Sequence, residues 1–468
     1  MKRWTWLGGM AGLAALVAGS LRGFGLAGAE PPARPVPVMA EAEVWPGTAH
    51  PPAFPLRVRP GARFLEDADG VPFLVHADVP GNILSQLRRE DAILYLDDRQ
   101  KRGFNTLFTG LIEKYYSSHP PANAYGEVPF EVAGDFTTPI EAYFAHVDWF
   151  LEEAGRRGFL VGMTPAWLGF KAGKEGWYRE MVASGPERLR EYGRYLGKRY
   201  ARFDNVLWIH GGDYNPPDKA LVRAIAEGIR EFDGRALHTA HAAPGFAALD
   251  AWRGEDWLQI DTVYTYGPVY PPTLQQYRDR QRLPFILMES AFENEHGADE
   301  RRLRAQAYQA LLTGASGHVF GNNPIWHFDA PGIYDAPMTW REALASRGAQ
   351  GVTHLRNLFS TVDWTRLVPD VDGRFLREGH GEGPDRAVAA LASDGAFGLV
   401  YLPSARAVTL DAGLLRNGRA AWKWYDPSGG AFRAAEEGPG NGPLVTMTPP
   451  GQNAAGYDDW LLIATAGG

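Results

Sequence analysis

Between about residues 73 and 359 the chain alternates short apolar runs with longer segments whose apolar residues recur at helical spacing, the pattern of parallel strands joined by crossover helices. Eight runs read as strands, at residues 73–76, 106–109, 159–164, 206–210, 237–240, 261–266, 285–289 and 317–321. A helix is predicted over 89–102, with Ile93, Leu94 and Leu96 in one stripe and Gly103 as its stop. Thr138 is the expected cap of the next, with Pro139 in the first turn and Ile140, Phe144, Val147 and Leu151 on one face, up to Gly158. Pro186 opens a third with Leu189, Tyr192 and Leu196 inward; others follow at 219–232, weakly within 246–257, and at 274–282, 301–312 and 340–358. Eight such units fit an α/β fold of the TIM (β/α)8 barrel type. A doubly wound sheet is the rival, but His76-Ala77-Asp78-Val79-Pro80-Gly81 after the first strand is no glycine-rich phosphate turn.

From about residue 363 the texture changes to short runs at 397–402, 407–410, 420–425, 444–448 and 460–464, separated by Gly, Pro, Asn and Asp. These read as antiparallel strands of a small C-terminal β-sandwich. The expected organisation is a signal peptide over 1–29, a Pro-rich lead-in over 30–55, a catalytic barrel over 56–362 and a β-sandwich over 363–468. The signal is read from Lys2 and Arg3 ahead of the apolar stretch 7–18 and from Ala27-Gly28-Ala29 before Glu30, with cleavage near Ala18-Gly19-Ser20 as an alternative. A membrane anchor is the competing reading, although the apolar run falls short of the ~20 residues that span a bilayer. Export implies a secreted or periplasmic protein with no membrane span after cleavage.

Composition narrows the chemistry. The net charge of −8 without a basic block argues against nucleic acid as a partner. Zero cysteines remove disulfides, thiolate nucleophiles and Cys-bound zinc. No organic cofactor is implied, and the oligomeric state is not readable. Aromatic residues make up 12% of the chain, which suits stacking on sugar rings.

In a barrel of this type the site lies past the C-terminal ends of the strands. The fourth strand leaves through His210-Gly211-Gly212-Asp213-Tyr214-Asn215, where two glycines let the backbone turn Asp213 over the mouth. The seventh ends Leu287-Met288-Glu289, a carboxylate that burial would penalise unless paired or used. Glycoside hydrolysis needs two such groups flanking the bond. Asp213 and Glu289 are therefore the catalytic candidates. Asp78, Trp167, His210, Asn215, His241, Tyr264, Tyr266, Glu293 and Trp326 are the candidates to touch a carbohydrate substrate. Glu293 and Glu295, on the loop after Glu289, read individually as solvated or ion-paired rather than catalytic. A metal-dependent barrel hydrolase is the competing chemistry: His210, His241 and His318 would have to converge with Asp213, whereas His238 and His241 are three apart on a strand and face opposite sides. No metal site is assigned. No G-x-S-x-G elbow occurs, since Gly314-Ala315-Ser316-Gly317 has the wrong spacing. A non-catalytic glycan- or protein-binding surface protein is the rival from another class.

Several motifs in order resemble one family: Gly103-Phe104-Asn105, Asn205-Val206-Leu207-Trp208 with Gly211-Gly212-Asp213, Met288-Glu289-Ser290, and Gly317-His318-Val319-Phe320-Gly321 with Trp326. They are similar to the apiosidase-like glycoside hydrolases. Leu367-Val368-Pro369-Asp370, Trp424-Tyr425-Asp426-Pro427 and Asp459-Trp460-Leu461-Leu462 resemble the β-domain often fused to that barrel, to which collagen binding has been ascribed. The resemblance implies a (β/α)8 glycosidase with Asp213 as acid/base and Glu289 as nucleophile, and it places Asp78 in the first strand-end motif. There the chain departs from the family's Gly-Asp-Thr with a following Trp, and Thr265-Tyr266-Gly267 replaces a Gln-Ser-x-His tail. The sugar is thus open between apiose, another pentofuranoside and other units of plant or bacterial polysaccharides.

Overall fold

The computed structural model describes residues 51–467 apart from 280, 334, 419 and 437–441, so the expected signal peptide and most of the Pro-rich lead-in lie outside the described residues. Eight parallel strands form the barrel: β1 (Val75–Asp78), β2 (Thr106–Gly110), β3 (Leu160–Thr164), β4 (Val206–Gly211), β5 (Leu237–His241), β6 (Asp261–Tyr264), β7 (Phe285–Glu289) and β8 (Gly317–Phe320). They are hydrogen-bonded in the order β5-β4-β3-β2-β1-β8-β7-β6. At the remaining seam side chains complete the ring: Thr239 Oγ1 donates to Ile260 O at 2.8 Å and Thr262 Oγ1 to Ala240 O at 2.7 Å.

Two-residue alternation sorts every strand into an inward and an outward row. Val75, Ala77, Phe108, Leu160, Leu207, Ile209, Leu237, Ile286, Met288 and Val319 fill the barrel. The interior is packed tightly enough that a Cβ on Gly162 would fall 2.5 Å from Phe108 Cδ1 and 2.8 Å from Ile209 Cδ1. The outward row, including Leu107, Val161, Met163 and Trp208, meets the helices.

The helices are α1 (Arg89–Lys101), α2 (Glu141–Arg156), α3 (Tyr178–Tyr200), α4 (Ala220–Arg230), α5 (Ala248–Trp252), α6 (Tyr270–Arg278), α7 (Glu300–Leu312) and α8 (Arg347–Ser360). Three sequence expectations need correction. In α1, Leu94 is 44% exposed and the buried stripe is Ala92, Tyr95, Leu96 and Arg99, because the long arginine packs inward to meet an acid of the barrel wall. Thr138 does not cap α2, which starts after Ile140; its hydroxyl donates to Asp135 O within a turn. The segment 340–358 is not one helix but Trp340–Ala343 followed by α8, capped anew by Ser346. In α3 the kink falls at Gly185 (φ 75°), directly before the Pro186 read as a helix start.

The C-terminal region is antiparallel. Its strands are β9 (Leu367–Pro369), β10 (Leu376–Glu378), β11 (Val388–Ala392), β12 (Phe397–Leu402), β13 (Val408–Asp411), β14 (Ala420–Tyr425), β15 (Phe432–Ala434), β16 (Leu444–Met447) and β17 (Trp460–Ala466). One sheet runs β9-β11-β12-β17-β14-β15 and a second β10-β13-β16. Val400, Leu402, Leu410, Trp424, Trp460 and Leu462 fill the space between them. The alternate residues Leu399, Tyr401 and Leu461 face the barrel, where they meet Tyr308, Leu311 and Leu312 of α7. Arg304 of α7 reaches into this seam, its Nε and Nη2 donating to Asp459 at 2.9 and 2.8 Å.

Candidate active site

Gly211 (φ 87°), Gly212 (φ 117°) and Asp213 (φ 53°) all take positive φ, and the resulting turn brings Asp213 back over the barrel mouth. Glycine is required at 212 on a second count: a Cβ there would fall 2.0 Å from Cδ1 of Trp167. That contact sets the indole so that Nε1 donates to Asp213 Oδ2 at 3.1 Å. Oδ1 of Asp213 is buried and has no hydrogen-bond partner among the described residues.

Glu289 arrives from the other side. Ile286 and Met288 point into the barrel, so strict alternation would turn Glu289 outward. The register of β7 against β6 shifts between Leu287 and Glu289, and this irregularity re-aims the carboxylate to the mouth. There Tyr266 Oη donates to Oε1 at 2.5 Å, and His241 Nε2 lies 2.9 Å from Oε2.

His241 connects the two acids. The amide of Asp213 points at His241 Nδ1, 3.3 Å away. An Nδ1 that accepts leaves the proton on Nε2, which then donates to Glu289. Burial disfavours the charged imidazole, but the hydrogen bond to Glu289 and the charges of Asp213 and Glu289 outweigh it and raise its pKa. One oxygen of Asp213, one of Glu289 and one nitrogen of His241 all lie within 4.8 Å of one another. By distance alone this trio could also hold a cation, and it is the one such cluster among the described residues.

Burial, reinforced by the charge of Glu289, raises Asp213 from 3.8 to about 6, against the opposing effects of His241, Tyr264 and Trp167. Two consequences follow for measurement. If Asp213 acts as an acid, kcat/KM falls as pH rises through about 6, and Asp213→Asn removes that limb. Folding favours the protonated form, so the stability this group contributes is complete below about 3.8 and lost as pH rises through about 6. The melting temperature of Asp213→Asn relative to the parent should therefore be higher at pH 7.5 than at pH 4; an equal difference at both would contradict the shift.

Around the acids stands an aromatic wall. Tyr116 lies with its ring centroid 5.8 Å from Trp167 and 5.5 Å from Trp326. Tyr264 packs 4.9 Å from the His241 ring and bonds Tyr266 at 3.1 Å between hydroxyls. Tyr116 was not among the sequence candidates. Its loop is set by Glu113 Oε1, which accepts the amides of Lys114, Tyr115 and Tyr116. Asn215 sits at the edge, accepting the Ala243 amide at 2.9 Å and so tying the β4 loop to the β5 loop.

Three candidates do not line the mouth. Asp78 is the outward residue after Ala77; it is fully buried, with Arg99 Nε at 2.5 Å and Tyr95 Oη at 2.7 Å on its Oδ2. His210 also points outward, to His238 at 2.9 Å, and His318 pairs with His76 at 2.9 Å, so neither histidine converges with Asp213. Glu293 is a structural brace: it accepts from Ser346 Oγ at 2.6 Å, Gly348 N at 2.7 Å and Asn322 Nδ2 at 2.8 Å. Trp326 is at the mouth, its Nε1 donating to Glu295 at 2.8 Å.

A family model described as the apiosidase-like catalytic domain matches residues 59–366, and a model for a proposed collagen-binding domain of a collagenase matches 368–465. A glycoside hydrolase family 5 structure from Bacteroides vulgatus ATCC 8482 is similar at 23% identity and a TM-score of 0.76, covering 88% of this chain and 93% of that one. A structure described as a glycoside hydrolase gives 22% identity and 0.76, covering 88% and 97%. No curated protein matches.

Proposed function

Because the chain belongs to the apiosidase-like family and carries its glycoside hydrolase domain, we propose that it cleaves a glycosidic bond with retention, Asp213 acting as acid/base and Glu289 as nucleophile. The observation that carries this reading is the approach of the two carboxyls, with oxygens within 4.8 Å of each other at the ends of β4 and β7. Retaining enzymes hold the pair about 5–5.5 Å apart, whereas inversion needs roughly 6.5–9.5 Å to admit a water between carboxylate and sugar. In the first step Glu289 forms a bond to the anomeric carbon while the bond to the leaving oxygen breaks, and the proton of the Asp213 carboxyl passes to that oxygen. In the second, Asp213 takes a proton from water, whose oxygen displaces Glu289 from the same carbon. Tyr266 and His241 hold one oxygen each of Glu289, fixing its orientation.

The substrate class in this reading is a pentofuranoside or related neutral unit of a plant or bacterial polysaccharide, reached after export directed by the segment 1–29. The test is to incubate the purified protein with such polysaccharides and with 4-nitrophenyl furanosides and pyranosides, following the first-formed anomer by proton NMR. Retention is expected, with full rate in EDTA. Initial inversion would overturn the mechanism, and loss to the chelator would favour a cation at the Asp213–His241–Glu289 trio.

A further inference from the structure

A third carboxyl stands at the mouth. Glu295 lies six residues after Glu289 on the β7–α7 loop, and this loop is fastened on several sides. Glu293 N donates to Gly321 O and Asn323 N to Glu293 O, both at 2.9 Å, while Asn294 Nδ2 donates to Asn323 O at 2.8 Å. The ring of Phe292 occupies the space a side chain on Gly321 would need, its Cδ1 2.1 Å from the Cβ position. Asn294 (φ 66°), His296 (φ 49°) and Gly297 (φ 70°) then turn the chain around Glu295. A carboxyl on so constrained a loop has a fixed address.

Its surroundings make it costly to keep there. Burial is the main reason its pKa rises to about 7; the charge of Glu289 adds to the rise, and only the Trp326 hydrogen bond opposes it. Among the described residues no lysine, arginine or histidine compensates it. Nε1 of Trp326 donates to Oε1, and Oε2 has no hydrogen-bond partner among the described residues and is not fully buried. A half-buried acid that faces no cation, beside an indole on the aromatic wall, is a candidate for ligand contact.

We propose that Glu295, positioned by Trp326, is a sugar-binding residue that accepts hydrogen bonds from hydroxyls of the unit held beside Glu289, and that it restricts this subsite to neutral sugars. The hydroxyls supply the donors that Oε2 lacks, and Trp326 offers a ring edge and face to the C–H surface. Above the raised pKa values of Asp213 and Glu295, where both are ionised, a uronate would place its carboxylate against Glu289, Asp213 and Glu295 together, which like-charge repulsion opposes. This selectivity rests on the glycosidase reading only for its site, so binding and turnover are tested separately.

Binding is read at about pH 8, above the pH at which Glu295 ionises, by saturation-transfer NMR on the full chain with free arabinose, xylose and galactose against glucuronate and galacturonate. At least one neutral sugar should bind the parent, more tightly than either uronate. Glu295→Ala should weaken it about 10- to 100-fold, the range of one or two hydrogen bonds to a charged group. Glu295→Gln keeps the acceptor for Trp326 but not the charge, so it should hold the neutral sugar within about threefold and admit uronates better. Trp326→Phe, which keeps a ring but loses the N–H, should fall between. Turnover adds a cycle: removing the recognised hydroxyl from the 4-nitrophenyl substrate should slow the parent and leave Glu295→Ala unaffected. Neutral-sugar binding that needs Glu295 without any hydrolysis would sink the glycosidase reading and keep the subsite. Hydrolysis with an unchanged Glu295→Ala, uronates bound as tightly as neutral sugars, or no sugar bound by the parent would overturn the subsite.

Discussion

Glu289→Gln and Asp213→Asn should each lower kcat by about a thousandfold or more while leaving the melting temperature at pH 5 within a few degrees of the parent. The two losses should differ in kind. Without Asp213 the leaving oxygen departs unprotonated, so substrates with a good leaving group such as 2,4-dinitrophenol should retain much of their first-step rate. Added azide should then accelerate release of the glycosyl enzyme and be trapped as a glycosyl azide, because a small anion needs no general base. Glu289→Gln should be slow with every leaving group, since the bond to the anomeric carbon cannot form. His241→Ala tests the connection between them: it removes the donor to Glu289 Oε2 and the acceptor of the Asp213 amide together. Its expected loss is about 10- to 100-fold, smaller than for either acid, because the residue orients and does not react. A Glu289→Gln enzyme that keeps full activity would dismiss the nucleophile assignment whatever the carboxyl spacing.

The barrel was legible because each strand is a short apolar run bounded by helical periodicity, and the place of Asp213 and Glu289 at the mouth was legible because each is a lone acid at the end of such a run. What was lost came from not carrying the two-residue alternation to the strand ends. Val75 and Ala77 point in, so Asp78 points out toward Arg99; Ile209 points in, so His210 points out toward His238. The same rule would have rejected Glu289, which reaches the mouth only through the shift in register on β7. No residue pattern announces that irregularity. Glu293 and Glu295 are two acids of one loop with opposite fates, fixed by partners from the loop after β8 and the cap of α8, far away in sequence. Tyr116 escaped because its β2–α2 loop lacks a periodic pattern, although the pair Tyr115-Tyr116 beside Glu113 was visible. In the β-domain, β9, β10, β11 and β15 were missed: three of them span only three residues, and β11 is Ala-rich.

Arg304→Ala should destabilise the fold by about 3–5 kcal/mol, the usual result of stripping one partner from a buried ion pair. Both side chains are almost fully buried, at 1% and 0% exposure. Asp459 also accepts from Tyr401 Oη at 2.9 Å and Asn453 Nδ2 at 2.7 Å. Losing the guanidinium leaves that carboxylate with neutral donors only, inside a seam where Tyr308 stacks on Tyr401 at 4.6 Å. Asp459→Ala should cost a similar amount, whereas Arg304→Met with Asp459→Leu should recover much of it, because neither charge then remains unpaired. The effect should reach the active site as well. Arg304 lies in the second turn of α7, the helix that begins five residues after Glu295, and the β-domain covers its outer face. Chemical denaturation followed by tryptophan fluorescence, with activity measured on the same samples, distinguishes the possibilities. If the β-domain braces the β7–α7 loop, Arg304→Ala loses activity at denaturant concentrations below its unfolding midpoint; activity and fluorescence that fall together, with the midpoint of the parent, would show that the pair supports neither the seam nor the loop.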